Sequence, residues 1–217
     1  MLAQAKMTTR LAGRISVETL AEAGYRYQPF DRRHTPNSNW ARIPGVRMLH
    51  GATLGIIGLG EIGREIAQRA AAFGMRVIYT QRHQLAEAEE RALGVVYAPL
   101  AELLAVSDWV IPQLPGGAAL RHLIGGAELA RMKPGACIVN VSRPDVIDRA
   151  ALLEALRSGR LGGFALDPQY EAPGRSDDEL LAFDNVILTP HIAAQPRFNA
   201  LDDIEDLIVG LAKEFAS

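Results

Sequence analysis

Three polar residues follow apolar runs in the second half of the chain: Arg143 after ACIVNVS, Asp167 after GGFAL and His191 after NVILTP. Arginine keeps its charge and can grip a carboxylate through two parallel N–H groups. Histidine gives or takes a proton near neutrality. An aspartate at a strand end orients a turn or its neighbours. Brought to one place, these types suit a reaction that binds a carboxylate and moves a proton. Upstream, residues 54–63 read LGIIGLGEIG, with Gly58, Gly60 and Gly63 in G-x-G-x-x-G spacing. An apolar β-type run precedes the glycines. A helical pattern follows them, with Ile62, Ile66, Ala67 and Ala70 expected on one face. Strand, glycine turn and helix together are the context of a dinucleotide site. Gly58 permits the tight turn, Gly60 lets the backbone approach a pyrophosphate, and Gly63 lets helix and strand pack closely. The helix start then offers N–H groups and a positive dipole end to phosphates. Alone, each feature has a plainer reading: a solvated arginine, a turn aspartate, a satisfied loop histidine, a glycine-rich turn.

The elements that must position these residues alternate. Strand candidates are Thr53–Ile57, Arg76–Thr80, Val95–Tyr97, Trp109–Ile111, Ala136–Val141, Gly163–Leu166 and Val186–Leu188. Most are apolar throughout, as strands buried on both faces are. Helix candidates between them are Ile62–Phe73, Leu85–Leu93, Leu100–Val106, Ala127–Met132 and Arg149–Ser158, the last bracketed by Asp148 as N-cap and Gly159 as C′ glycine. This alternation predicts an α/β fold, a doubly wound parallel sheet with helices on both faces. Ligands of such a sheet sit outside the carboxyl ends of its strands, where Arg143, Asp167 and His191 fall. Residues 1–50 are irregular and broken by Pro29, Pro36 and Pro44, while Phe198 to Phe215 form a long amphipathic helical pattern.

Bulk properties are those of an ordinary globular chain. Of 217 residues, 48% are hydrophobic and 22% charged, with a formal net charge of −2. That charge gives no reason to expect a nucleic-acid or membrane-surface partner. No apolar run approaches membrane-spanning length, and MLAQAKMTTR lacks the apolar core of a secretory signal. The single cysteine, Cys137, excludes an intramolecular disulfide and a cysteine metal cluster, and reads as a small buried hydrophobe. The expectation is a cytoplasmic protein without a metal.

The segments GATLGIIGLGEIGREIAQRAAAFGMRVI, MKPGACIVNVSRPDVIDRAALLEALRSGRLGGFALD and NVILTPHIAA resemble the D-isomer-specific 2-hydroxyacid dehydrogenase family. The resemblance runs from about Trp40 to the C-terminus. It implies hydride transfer between NAD(P)H and C2 of a small 2-oxo or 2-hydroxy acid, of the glyoxylate or hydroxypyruvate reductase kind. It implies that Arg143 holds the substrate carboxylate, that His191 is the acid–base residue and that Asp167 lies near the nicotinamide end. Gly58, Gly60, Glu61, Ile62, Gly63, Leu114, Pro115, Val141, Ser142, Arg143, Asp167, His191 and Ala193 fall where the family lines its cofactor. It also implies a homodimer joined partly through the Trp40 arm.

Three departures qualify the expectation. The family glutamate that pairs with the histidine falls on Ala172, and the nearest carboxylate is Glu171. Without that pair, keto-acid reduction is expected to be impaired or acid-shifted. Pro144 follows Arg143 where the family has glycine, which pushes Arg143 towards extended backbone. The family also carries a substrate-binding segment before its nucleotide domain. Here residues 1–50 read as a linker helix and arm, the remnant of that second domain; residues 51–195 read as the dinucleotide-binding domain; and residues 196–217 read as a helix returning towards the substrate domain. The chain is therefore expected to be a fragment or truncated product, and a nucleotide-binding protein with a sensing or structural role is the alternative. At the end of the second strand, the residue expected to bond the ribose 2′-OH is Gln81, followed by Arg82 and His83. With no carboxylate to repel a 2′-phosphate, the sequence favours NADP over NAD.

Overall fold

Short apolar runs rich in β-branched residues, each followed by a helical pattern, fold as parallel strands with helical crossovers. The computed structural model describes residues 47–172 and 174–193, with isolated positions between 21 and 32. The element order is β1 (Thr53–Ile57), α1 (Glu61–Ala72), β2 (Arg76–Thr80), α2 (Glu87–Leu93), β3 (Val95–Tyr97), α3 (Leu100–Val106), β4 (Trp109–Pro112), α4 (Gly126–Arg131), β5 (Ala136–Asn140), α5 (Arg149–Arg157), β6 (Leu161–Leu166) and β7 (Val186–Leu188). Single 3-10 turns lie at Ala118–Leu120, Pro144–Val146 and Glu179–Ala182.

The strands form one seven-stranded sheet in the order β3-β2-β1-β4-β5-β6-β7. Every pairing is parallel. Central β1 is buried at all five positions, which explains its uninterrupted apolar run. Two cores lie on the two faces. One gathers Leu54, Ile56, Ala67, Ala70, Val77 and Tyr79 under α1 and α2. The other gathers Leu103, Leu104, Ile138, Leu152, Leu156 and Phe164 under α3, α4 and α5. Cys137 is a buried free thiol of the first core, as its apolar context predicts.

The Asp148 carboxylate accepts the Ala151 N–H at 2.9 Å, and Gly159 has φ +70°, so both punctuation marks of α5 act as the sequence indicates. One expectation is corrected. Ile62 does not share the buried face of α1: it is 63% exposed, whereas Ala67 and Ala70 are buried. In the first turn of α1, directly after the glycine turn, Ile62 lies outside both cores. The Trp40 arm and the Phe198 to Phe215 pattern lie outside the described residues.

Candidate dinucleotide and substrate site

The chain runs outward from β1 through β2 to β3, then returns to pair β4 against the other edge of β1. The carboxyl ends of β1 and β4 therefore diverge, and a crevice opens between the loops that follow them. Gly58 leaves β1 with φ +95°, and its N–H donates to the Thr80 carbonyl at 2.8 Å. A side chain there would collide with the Gln113 backbone carbonyl of the loop after β4. Gly63 sits against the Gly58 carbonyl, where an added Cβ would approach to 2.6 Å. Gly60 differs: an added Cβ would meet nothing within 4 Å. Gly60 is the N-cap of α1 and no side chain caps the helix. The first-turn N–H groups thus have no side-chain cap at the positive end of a twelve-residue helix.

Beside this turn lies a crevice of about 580 Å³, lined on its apolar side by Ile57, Leu114 and Pro115 and at its polar end by Gln81, Arg82 and His83. That size suits a small-molecule site. The Gln81 side chain spans part of it. Its carbonyl accepts the Leu59 N–H of the glycine turn at 3.2 Å, and its amide donates to the His83 carbonyl at 2.7 Å. Arg82 and His83 are exposed at the rim.

The second half of the sheet presents side chains. Asn140, fully buried at the end of β5, braces the turn after it. Its carbonyl accepts the Ser142 N–H at 3.0 Å, and its amide donates to the Arg143 carbonyl at 2.9 Å. The Ser142 hydroxyl donates to the Pro112 carbonyl at 2.9 Å, tying this turn to β4. Arg143 is extended (φ −137°, ψ 130°), as the following proline requires. Its Nη1 donates to the Ser142 carbonyl at 2.8 Å.

Asp167, 4% exposed, holds the loop that carries the histidine. Its carboxylate accepts the Thr189 hydroxyl at 2.5 Å and the N–H groups of Ile192 and Ala193, each at 2.9 Å. Burial works to raise its pKa, but these donors and the nearby His191 hold it below the ordinary carboxylate range. The His191 N–H donates to the Asp167 carbonyl at 3.0 Å, and His191 adopts φ +57°. A left-handed conformation is uncommon for a non-glycine residue and is kept only where neighbours fix it. Below this loop is a hollow of about 190 Å³ lined by Val141, Asp167, Ile187, Thr189, Ile192 and Ala193.

Glu171 lies elsewhere. It is 71% exposed and its ion-pair partner is Arg175, at 4.0 Å. No ion pair joins His191 to a carboxylate among the described residues. Nor does any group of three metal-ligating side chains come together there. Sequence reasoning missed Asn140, although an asparagine inside ACIVNV is a usable signal: a polar side chain in a buried strand must find partners.

The donor set fits a dinucleotide. The glycine turn leaves backbone room at Gly60, and the Gln113 side-chain nitrogen, in the loop facing that turn, is buried without a partner among the described residues. Strand order, crevice and glycine turn define a dinucleotide-binding domain of the Rossmann type. Residues 20–193 match the family described as "D-isomer specific 2-hydroxyacid dehydrogenase, NAD binding domain". The chain belongs to that family. It is 42% identical over 160 residues to a glyoxylate reductase of Thermococcus gammatolerans, covering 74% of this chain and 47% of that protein. Among solved structures it resembles a glyoxylate reductase from Paecilomyes thermophila, with TM-score 0.70 and 35% identity over 96% of this chain and 58% of that one. It also resembles Rhodotorula graminis D-mandelate dehydrogenase, with TM-score 0.69 and 32% identity over 88% of this chain and 52% of that one. The chain spans about half the length of these relatives.

Proposed function

We propose that this chain carries the nucleotide-binding and acid–base half of a D-specific 2-oxo acid reductase, with glyoxylate-sized acids as substrates. What supports the reading is that Arg143 and His191 follow β5 and β7 at the carboxyl edge of one sheet with a glycine turn, each on a loop fixed by a buried polar side chain. A dihydronicotinamide held here would be the source of the hydride that C2 of the acid receives. His191 delivers a proton to the C2 oxygen, which becomes the hydroxyl. Arg143 holds the carboxylate, so one face of C2 is presented. The glycine turn and the start of α1 would hold the pyrophosphate. Val141, Asp167 and Ala193, which line the hollow under the histidine loop, and the adjacent Ser142 would wall the nicotinamide end, with Asp167 acting mainly through the loop it holds.

We further infer NADP over NAD. Gln81 stands where a carboxylate would repel a 2′-phosphate, and it is already bonded to the glycine turn and to His83. Arg82 and His83 supply cationic or donor groups at the crevice rim. The sensing alternative has less behind it, since the relatives compared above are reductases and dehydrogenases by name. Parallel fluorescence titrations with NADPH and NADH, followed by glyoxylate-dependent NADPH oxidation, test both inferences. Tighter NADPH binding with oxidation supports them. Tighter NADH binding removes the Arg82 argument, and binding without any oxidation removes the reductase reading for this chain.

A further inference from the structure

The loop that presents Arg82 and His83 is pinned at both ends, and the far pin is a side chain buried on the opposite side of the loop from the crevice. Tyr79, the fourth residue of β2, is fully buried and packs edge-on against Tyr97, with ring centroids 5.6 Å apart. Only its hydroxyl is polar, and that group makes two bonds. It donates to the Glu90 carboxylate at 2.7 Å and accepts the Leu85 N–H at 2.8 Å. Glu90 also accepts the Gln84 side-chain amide at 3.0 Å. Burial, followed by the Glu90 carboxylate, pushes the hydroxyl up to about 12, so it remains a protonated donor across the working pH range. At the near end, Gln81 is bonded to Leu59 and His83. Arg82, His83 and Gln84 therefore bridge two fixed points, and their backbone has little freedom to swing.

We propose that Tyr79 is a positioning residue for dinucleotide selection: through Glu90 and the Leu85 amide it sets where Arg82 and His83 meet a ribose 2′-phosphate. The proposal rests on the NADP reading above. A charged contact to phosphate is steep in distance, so loosening the far end of the loop costs 2′-phosphate recognition while leaving the shared adenine, ribose and pyrophosphate contacts in place. Tyr79 touches none of the ligand itself and is not catalytic.

Titrating NADPH and NADH into the 217-residue chain and its variants separates the possibilities. Tyr79→Phe keeps the ring and removes the bridge. It is expected to weaken NADPH about tenfold and NADH less than about twofold, the scale of one lost hydrogen-bonded link. Glu90→Ala, at a partly exposed site, should reproduce that selective loss without touching the core. Glu90→Gln keeps an acceptor and should retain the native ratio. Equal weakening of both cofactors by Tyr79→Phe, or an unchanged ratio in Glu90→Ala, overturns the proposal by reducing Tyr79 to a packing residue. Arg82→Ala distinguishes the two levels. If it collapses the NADPH preference while Tyr79→Phe keeps it, the proposal fails and the NADP reading stands. If the unaltered chain prefers NADH, or Arg82→Ala leaves the ratio intact, both fall together.

Discussion

In the proposed site, the two halves of the sheet present their groups to the ligand in opposite ways. At β1 and β4 the working surface is backbone, exposed because Gly58, Gly60 and Gly63 have no side chains. At β5 to β7 the proposed working surface is side chains, Arg143 and His191, each on a turn braced by a buried polar residue, Asn140 or Asp167. The first half fails when atoms are added. The second fails when a bond is removed. Addition against backbone has nowhere to relax, whereas a lost bond can be replaced in part by water, so the two halves should differ in how sharply they break.

The harshest break is Gly58→Ala. The new Cβ would collide with the Gln113 carbonyl at a φ of +95°. A strained left-handed residue and a backbone clash together should cost about 3–5 kcal/mol. Dinucleotide binding should become undetectable by fluorescence titration, and the thermal midpoint should fall in parallel. Native-like NADPH affinity in a folded Gly58→Ala protein would remove the argument for a glycine-dependent turn.

Asp167→Asn probes the other half more gently. The amide keeps one acceptor but turns an NH₂ towards the N–H of Ile192 or Ala193. Losing a charged acceptor of buried N–H groups should cost about 1–3 kcal/mol in urea denaturation at neutral pH. The pH dependence has a definite sign. Because the Asp167 carboxyl is held below its ordinary range when folded, its contribution is present above the unfolded value, near about 4, and fades as pH falls through the folded one. The gap between the native chain and Asp167→Asn should therefore narrow below about pH 4. ADP-ribose, which lacks the nicotinamide, should bind the variant within about twofold of the native affinity, since its contacts lie on the glycine turn and helix start. Loss of ADP-ribose binding would show that the halves are not separable.

The same contrast explains what the sequence made legible. A backbone site writes itself as glycines at fixed spacing, and buried parallel strands write themselves as apolar runs, so LGIIGLGEIG and the seven strands could be placed. Asp148 and Gly159 were legible because capping is local. The bracing of Arg143 by Asn140 is local, three residues apart, and was open to reading, whereas Asp167 braces the histidine loop across more than twenty residues that only the fold brings near. Leu85 illustrates the limit: its apolar type extends the pattern of α2, yet Ala86 is in extended backbone (φ −61°, ψ 145°) and the helix begins at Glu87. Ile62 fits a helical stripe, and only the position of α1 relative to the strand ends shows that it faces outward.

The smallest expected effect concerns the loop after β6, where the second half is incomplete as a side-chain site. Among the described residues Glu171 pairs with Arg175, at 4.0 Å and in solvent, where screening leaves an ion pair little effect on stability. Glu171→Ala should leave stability and keto-acid reduction nearly unchanged. Ala172→Glu tests whether a carboxylate there completes the histidine. If it does, the imidazolium is stabilised, and reduction near neutrality should rise several-fold, with the alkaline limb of the pH profile moving up. A flat response would mean that the turn around Ala172 does not direct a carboxylate at His191. A loss of reduction in Glu171→Ala would mean instead that the loop rearranges on ligand binding and that Glu171 abandons Arg175 for the histidine. That last result would place plasticity in this loop, in contrast to the glycine turn, where an added Cβ at Gly58 or Gly63 meets backbone.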